Sequence, residues 1–411
     1  MNIFILLIIT MVLILYLMRR HIPIGPCMLA GGLLIWAVKT PQFSVLYHAL
    51  GETLTMSRTY DIILALYFVM CLEIELRTSG ALSGMVAALQ RAFSSAKFTL
   101  AIMPAFLGLL PSLGGARFSA PIVEEASKGL NLSNEHKAAI NFAFRHIFEF
   151  ASPIIPGMIM ACSIAGVAFS EFITHLCWLT VLAFAANWLV LISPIKTTEV
   201  QAKAPDNEEK QKNIYDLLLS LSPVVLTFIL VVFFDFNASM SMGMVTAGLY
   251  FVLRLAKRTV NLKEIIIGAC DWKMFINVIC ILYFIQILTV SNVLTEIVAA
   301  FQNSPLPVPV IIASVSFIIG LLTGMSQGHV AIVMPIVAAM GTGNLNLAGV
   351  AMAFGVAGQM LTPTHMCLVV TMDYFKSSFL GTLRPIFYCE LIILTVFSVY
   401  TYFIHYKVSL K

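Results

Sequence analysis

The sequence predicts an all-α polytopic membrane protein built from two inverted repeats, each of five transmembrane helices plus one re-entrant hairpin. Three observations predict it. The 411 residues are 60% hydrophobic and only 11% charged, whereas soluble domains are about a quarter charged. Apolar segments long enough to span a bilayer recur from one end to the other. Blocks of the first half also return, in the same order, in the second.

A span needs about 20 mostly apolar residues. Segments 2–18, 22–38, 60–76, 136–165, 172–193, 215–235, 238–254, 274–290, 346–372 and 385–404 qualify. The first is followed by Arg19-Arg20 and lacks a small-residue cleavage site, so it is expected to be a retained span rather than a signal peptide. Segments 136–165 and 346–372 are interrupted by prolines. Stretches 98–129 and 308–340 are too long for one span, and Gly-rich runs cut them: PSLGGARFSAP at 111–121 and GMSQGHVAIVMP at 324–335. The one soluble-looking segment, KTTEVQAKAPDNEEKQKN at 196–213, is expected to be a cytoplasmic linker between a first repeat (1–195) and a second (214–411).

Charge sets the sidedness. With the N-terminus outside and each Gly-rich stretch returning to its own side, eighteen of the 24 Lys and Arg residues fall on the cytoplasmic face. Only Lys39, Arg58, Lys407 and Lys411 fall outside, and Arg117 and Arg145 lie within the membrane. That is the bias of an inner-membrane protein. It collapses if either stretch crosses the bilayer an odd number of times, so both are expected to be re-entrant hairpins. Both termini are then outside.

The duplication is visible in SGALSGMVAALQ (79–90) against SNVLTEIVAAFQ (291–302). LYF recurs at 66–68 and 282–284, GLL at 108–110 and 320–322, and PIV at 121–123 and 335–337. FAFRHIFEFASP (142–153) lies over MAFGVAGQMLTP (352–363). Five spans is an odd number, so the second half enters the membrane upside down, which is the plan of secondary transporters.

Non-helical backbone survives at membrane depth only where it lines a cavity or packs in protein. Four breaks are expected: the tips at 112–115 and 323–328, and the interruptions at 152–157 and 362–365. Freed amide ends suit an anion and freed carbonyls a cation. The candidate solute-binding residues are therefore Ser112, Gly114, Gly115, Arg117, Ser326, Gln327, Gly328, His329, Thr362, Thr364 and His365. Ser112, Ser152, Thr323, Thr362 and Glu149 are candidates for a coupling cation, Na+ or H+. Arg117 needs a partner inside the membrane, either a bound carboxylate or Glu124, Glu125 or Glu149. Arg145, His146 and Glu149 would share one helical face, as an internal ion pair or as a proton relay. Glu73, Glu75 and Asp373 sit near span ends and are expected to be solvated. The eight cysteines show no metal-ligand spacing, and neither a resident metal nor another cofactor is expected.

A net charge of +4 without a basic groove interleaved with aromatics excludes a nucleic-acid partner, and no phosphate-binding loop points to an ATP-driven pump. PSLGGARFSAPIVEEA (111–126), GLLTGMSQGHVAIVMPIV (320–337) and GQMLTPTHMCLVVTMDYF (358–375) resemble the membrane family catalogued as domain of unknown function 401, in the ion transporter superfamily. The resemblance spans essentially the whole chain. It implies paired hairpins, a homodimer and an elevator motion. In that motion hairpins and interrupted spans move past a scaffold of 2–18, 22–38 and 215–254. Where the dicarboxylate branch of that superfamily carries Ser-Asn-Thr at its tips, this chain has Ser112-Leu113-Gly114 and Ser326-Gln327-Gly328. The expected function is secondary active transport of an organic anion, a carboxylate or sugar acid, coupled to H+ or Na+. An intramembrane metal-dependent enzyme and a channel are the alternatives.

Overall fold

The structure, a computed structural model, describes residues 3–20, 22–81, 84–85, 95–109, 115–196 and 207–403. These residues form helices joined by short turns and links, and no strand occurs among them. The first half runs α1 (Ile3–Arg19), α2 (Ile24–Lys39), α3 (Phe43–Thr55), α4 (Ser57–Thr78), α5 (Ala96–Leu109), α6 (Gly115–Ala126), α7 (Asn134–Arg145), a 3-10 turn (Ile147–Phe150), α8 (Pro156–Ala165) and α9 (Phe169–Asn187). The second runs α10 (Asn207–Phe234), α11 (Ala238–Leu255), α12 (Leu262–Gly268), α13 (Trp272–Val290) and α14 (Val293–Gln302). It continues with α15 (Val308–Thr323), α16 (Ser326–Met340), α17 (Leu345–Met360), α18 (Met366–Phe375) and α19 (Phe379–Thr401). Among the described residues five helical stretches are long and apolar enough to cross a membrane: Phe169–Ile192, Leu217–Phe234, Ala238–Leu255, Leu262–Val290 and Phe379–Thr401. With the composition, they make this a membrane protein.

The helix ends follow local chemistry. Ser133 Oγ accepts from His136 N at the start of α7, and Asn344 Oδ1 accepts from Leu347 N at the start of α17. Such side chains satisfy the amides that a helix start leaves open. Gly324 ends α15 at φ 67, a left-handed conformation that costs glycine nothing. Its N–H reaches back to Gly320 O. Pro156 opens α8 at a position where the lost N–H is not needed.

Packing concentrates in two groups: α1–α4 with α10–α13, and α5–α9 with α15–α19. α14 touches both, through α13 and α16. The pairings are reciprocal. α2 packs on α13, and α11 on α4; α3 packs on α13, and α12 on α4. α5 packs on α6 and α7, as α15 does on α16 and α17. α8 packs on α16, and α18 on α6. The crossings match in detail. A Cβ placed on Gly32 of α2 would stand 3.0 Å from Phe284 Cδ2, and one on Gly243 of α11 would stand 3.0 Å from Phe68 Cε2. Phe68 and Phe284 close the two LYF triplets. At the α5–α7 crossing a Cβ on Gly108 would lie 1.9 Å from Arg145 O. At the α15–α17 crossing one on Gly320 would lie 2.1 Å from Gly355 O. Only glycine admits backbones this close.

Candidate functional site

Both interruptions are present. The first runs from Ala151 to Ile155, between the 3-10 turn and α8; the second runs from Leu361 to His365, between α17 and α18. The short link between α15 and α16 touches both. A Cβ on Gly157 would fall 2.6 Å from Ser326 Cβ, and one on Gly324 would fall 2.5 Å from Thr364 Oγ1. Residues 323–326 are therefore seated between the two broken helices.

The interruptions also approach one another. The His146 and His365 rings lie 4.7 Å apart, and Phe142 stacks edgewise on His365 at 4.9 Å. His146 Nδ1 bonds to Phe142 O at 2.8 Å and His365 Nδ1 to Gln359 O at 3.0 Å. Thr362 Oγ1 and Thr364 Oγ1 share a hydrogen bond of 2.9 Å, and Thr364 N donates to Thr362 Oγ1 at 3.3 Å. Thr323 Oγ1 donates into its own helix, to Ile319 O.

Several buried polar atoms here lack a protein partner among the described residues. They are Glu149 Oε2, Ser152 Oγ, both ring nitrogens of His329, and both amide atoms of Gln359. Ser326 and Gln359 are neighbours of Glu149. His329 is fully buried, with its ring edge against the backbone of Gly355. Leaving one such group unpaired costs about 1–3 kcal/mol, and native interiors hold few of them. Glu149 and Gln359 occupy matching places in the repeated block.

Of the expected site residues, Ser326, Gln327, Gly328, Thr323 and His329 cluster on α15 and α16, with Ser152 and Glu149 on one side and Thr362, Thr364 and His365 on the other. Ser112 and Gly114 lie outside the described residues. Of Gly115 and Arg117 only the helical backbone, at the start of α6, is described. Two of the partners considered for Arg117 are engaged elsewhere: Glu124 with Lys137 at 3.0 Å and Glu125 with Lys128 at 2.5 Å.

Two expectations are corrected. Arg145 and Glu149 do not stack one turn apart on a continuous α-helix, because α7 ends at Arg145 and the chain tightens into a 3-10 turn. With three residues per turn Glu149 leaves the i, i+4 position of Arg145 and stays one turn from His146, to whose carbonyl its N–H donates. Among the described residues no carboxylate lies within ion-pair distance of Arg145, whose Nη1 donates instead to Leu107 O at 3.3 Å. Glu75 is not solvated: it is 1% exposed, with Oε2 unpartnered among the described residues. Glu73 and Asp373 do pair, with Arg77 and Lys376. No spacing in the chain groups Cys367 with the two histidines. His146 lies in the other half of the chain, and only the fold brings it to the His365-Met366-Cys367 segment.

The model of one protein family, described as a protein of unknown function (DUF401), matches residues 2–404. The chain belongs to the DUF401 family. No curated protein matches it. Among solved structures the DUF401 chain is similar to the YdaH transporter of Alcanivorax borkumensis, described as having an unusual topology. The TM-score is 0.59 at 13% identity, over 88% of this chain and 88% of that one. At that identity the likeness is one of fold.

Proposed function

We propose that this DUF401 protein is a secondary active transporter for a small organic anion, a carboxylate or sugar acid, driven by H+ or Na+. One observation carries the proposal: unpartnered buried polar atoms of Glu149, Ser152, His329 and Gln359 gather where two broken helices meet the tip of a helical hairpin. Hydroxyls, an amide and neutral imidazoles can bind a hydrated solute and release it again. Glu149 is the ionisable group placed to carry a coupling cation. The fold shared with a transporter supports the same conclusion.

The architecture follows as two inverted repeats, 1–195 and 214–411, joined by a cytoplasmic linker, with both termini outside the inner membrane. The reciprocal helix pairings and the matched glycine crossings support this plan. The α5–α9 and α15–α19 group would carry solute past the α1–α4 and α10–α13 group in an elevator motion, within a homodimer. On this reading the scaffold would take in α3, α4, α12 and α13 besides 2–18, 22–38 and 215–254, because those helices pack with them.

The test is a thermal-shift screen of purified protein against small carboxylates and sugar acids, with and without sodium at two pH values, followed by uptake into proteoliposomes. Saturable, gradient-driven uptake of the stabilising anion is expected. Arg117→Ala should abolish stabilisation by the anion and leave the unliganded melting temperature unchanged; a normal response would remove Arg117 from the site. Glu149→Gln keeps the shape and removes the charge. It should abolish gradient-driven accumulation while counterflow exchange persists.

A further inference from the structure

We propose that His146, His365 and Cys367 form a binding site for a d-block cation of the zinc class. One ring nitrogen of each histidine and Cys367 Sγ lie within 4.8 Å of one another. Each Nδ1 bonds to a backbone carbonyl, Phe142 O or Gln359 O. A carbonyl only accepts, so each Nδ1 carries the proton and each Nε2 keeps its lone pair. Among the described residues neither Nε2 has a hydrogen-bond partner. An Nδ1–H held by a carbonyl is the outer-shell contact that orients a metal-ligating histidine. The two rings are also held edge to face at 4.7 Å, so both nitrogens are fixed before any ion arrives.

Imidazole and thiolate together suit zinc and copper(I) and disfavour magnesium or calcium. Tetrahedral bonds of roughly 2.0–2.3 Å put ligand atoms about 3.5 Å apart, so the trio, within 4.8 Å, needs to close by at most about 1.3 Å. The Arg145 guanidinium stands beside Cys367 and answers the thiolate's charge, and because it also bears on both imidazoles the thiolate has to balance it against the bound cation. Three protein ligands leave a fourth position open. The ligands come from α7's end in the first half and from α18's start in the second, so the ion would tie the two broken helices to each other. The site shares His365 with the proposed solute site, but metal binding and anion transport are read by separate measurements, so either can fail alone.

The full chain in detergent is stripped with a chelator and titrated with Co2+ alone, then Zn2+ alone. One equivalent of Co2+ should give a thiolate-to-metal charge-transfer band that Zn2+ displaces. Cys367→Ser should remove that band, and His365→Ala should weaken Co2+ binding at least tenfold. A second measurement needs no variant. Zn2+ should slow alkylation of Cys367 at least tenfold, read peptide by peptide, and leave the exposed Cys177 and Cys270 unprotected. A charge-transfer band that survives Cys367→Ser overturns the site, as does equal protection of all three cysteines or of none.

Discussion

His329 packs its ring edge against the backbone of Gly355. A Cβ on Gly355 would lie 2.1 Å from His329 Cδ2, and His329 is fully buried. Gly355→Ala should therefore cost about 1–3 kcal/mol, as overpacking does. His329→Ala in the same chain should restore the melting temperature; a double variant no more stable than the single one would show that the clash lies elsewhere. At the start of α7, Glu135 accepts from Ser378 N at 3.3 Å and Ser378 Oγ at 3.2 Å. Its own backbone N–H and that of Ser378 hold this carboxyl below the usual range. A depressed folded pKa stabilises above the unfolded pKa, near 4.3 for Glu, and that stability is lost as pH falls through the folded value. Melting curves should separate Glu135→Gln from the parent at neutral pH and converge in acid. Much at this scale was legible: Ser152, Thr362, Thr364 and His365 flank prolines in an apolar chain. The Arg145–Glu149 pairing misled, because sequence spacing assumes a helix that continues. Glu75 misled because proximity to a span's end says nothing of which neighbour covers it.

Among elements, the breaks were legible because glycine and proline have few other uses in a helix that cannot expose its backbone to lipid. α5 and α6 lie within the stretch 98–129, whose tip at 112–114 is outside the described residues, and α15 and α16 lie within 308–340. α3 and α12 were not foreseen. They are short, and α12 has only seven residues, too few for periodicity to register. Their role is tertiary: each lies along a helix of the opposite half. The matched crossings carry a prediction of their own. Gly32→Val meets Phe284, and Gly243→Val meets Phe68, at nearly the same approach. Each should lower the melting temperature in detergent by a similar amount, again about 1–3 kcal/mol. A large effect at one crossing with none at the other would break the correspondence between the halves.

The whole molecule divides along a boundary that the sequence could place only by resemblance. Helices far apart in the chain share a group, and nothing in local patterning records that. Ser170 Oγ, in α9, donates to Asp235 Oδ1, between α10 and α11, at 2.9 Å. This contact crosses from one group to the other. A Ser170→Cys, Asp235→Cys pair, oxidised, should stop uptake reversibly while leaving anion binding intact. Uptake that continues in the cross-linked protein would rule out relative movement of the two groups at that contact.

The seat of residues 323–326 has a mechanical corollary. One side of this loop leans on Gly157 and the other on Thr364, so it acts as a single bolt thrown through two keepers. Shifting it would alter the footing of both fractured rods together, because the same few residues touch each.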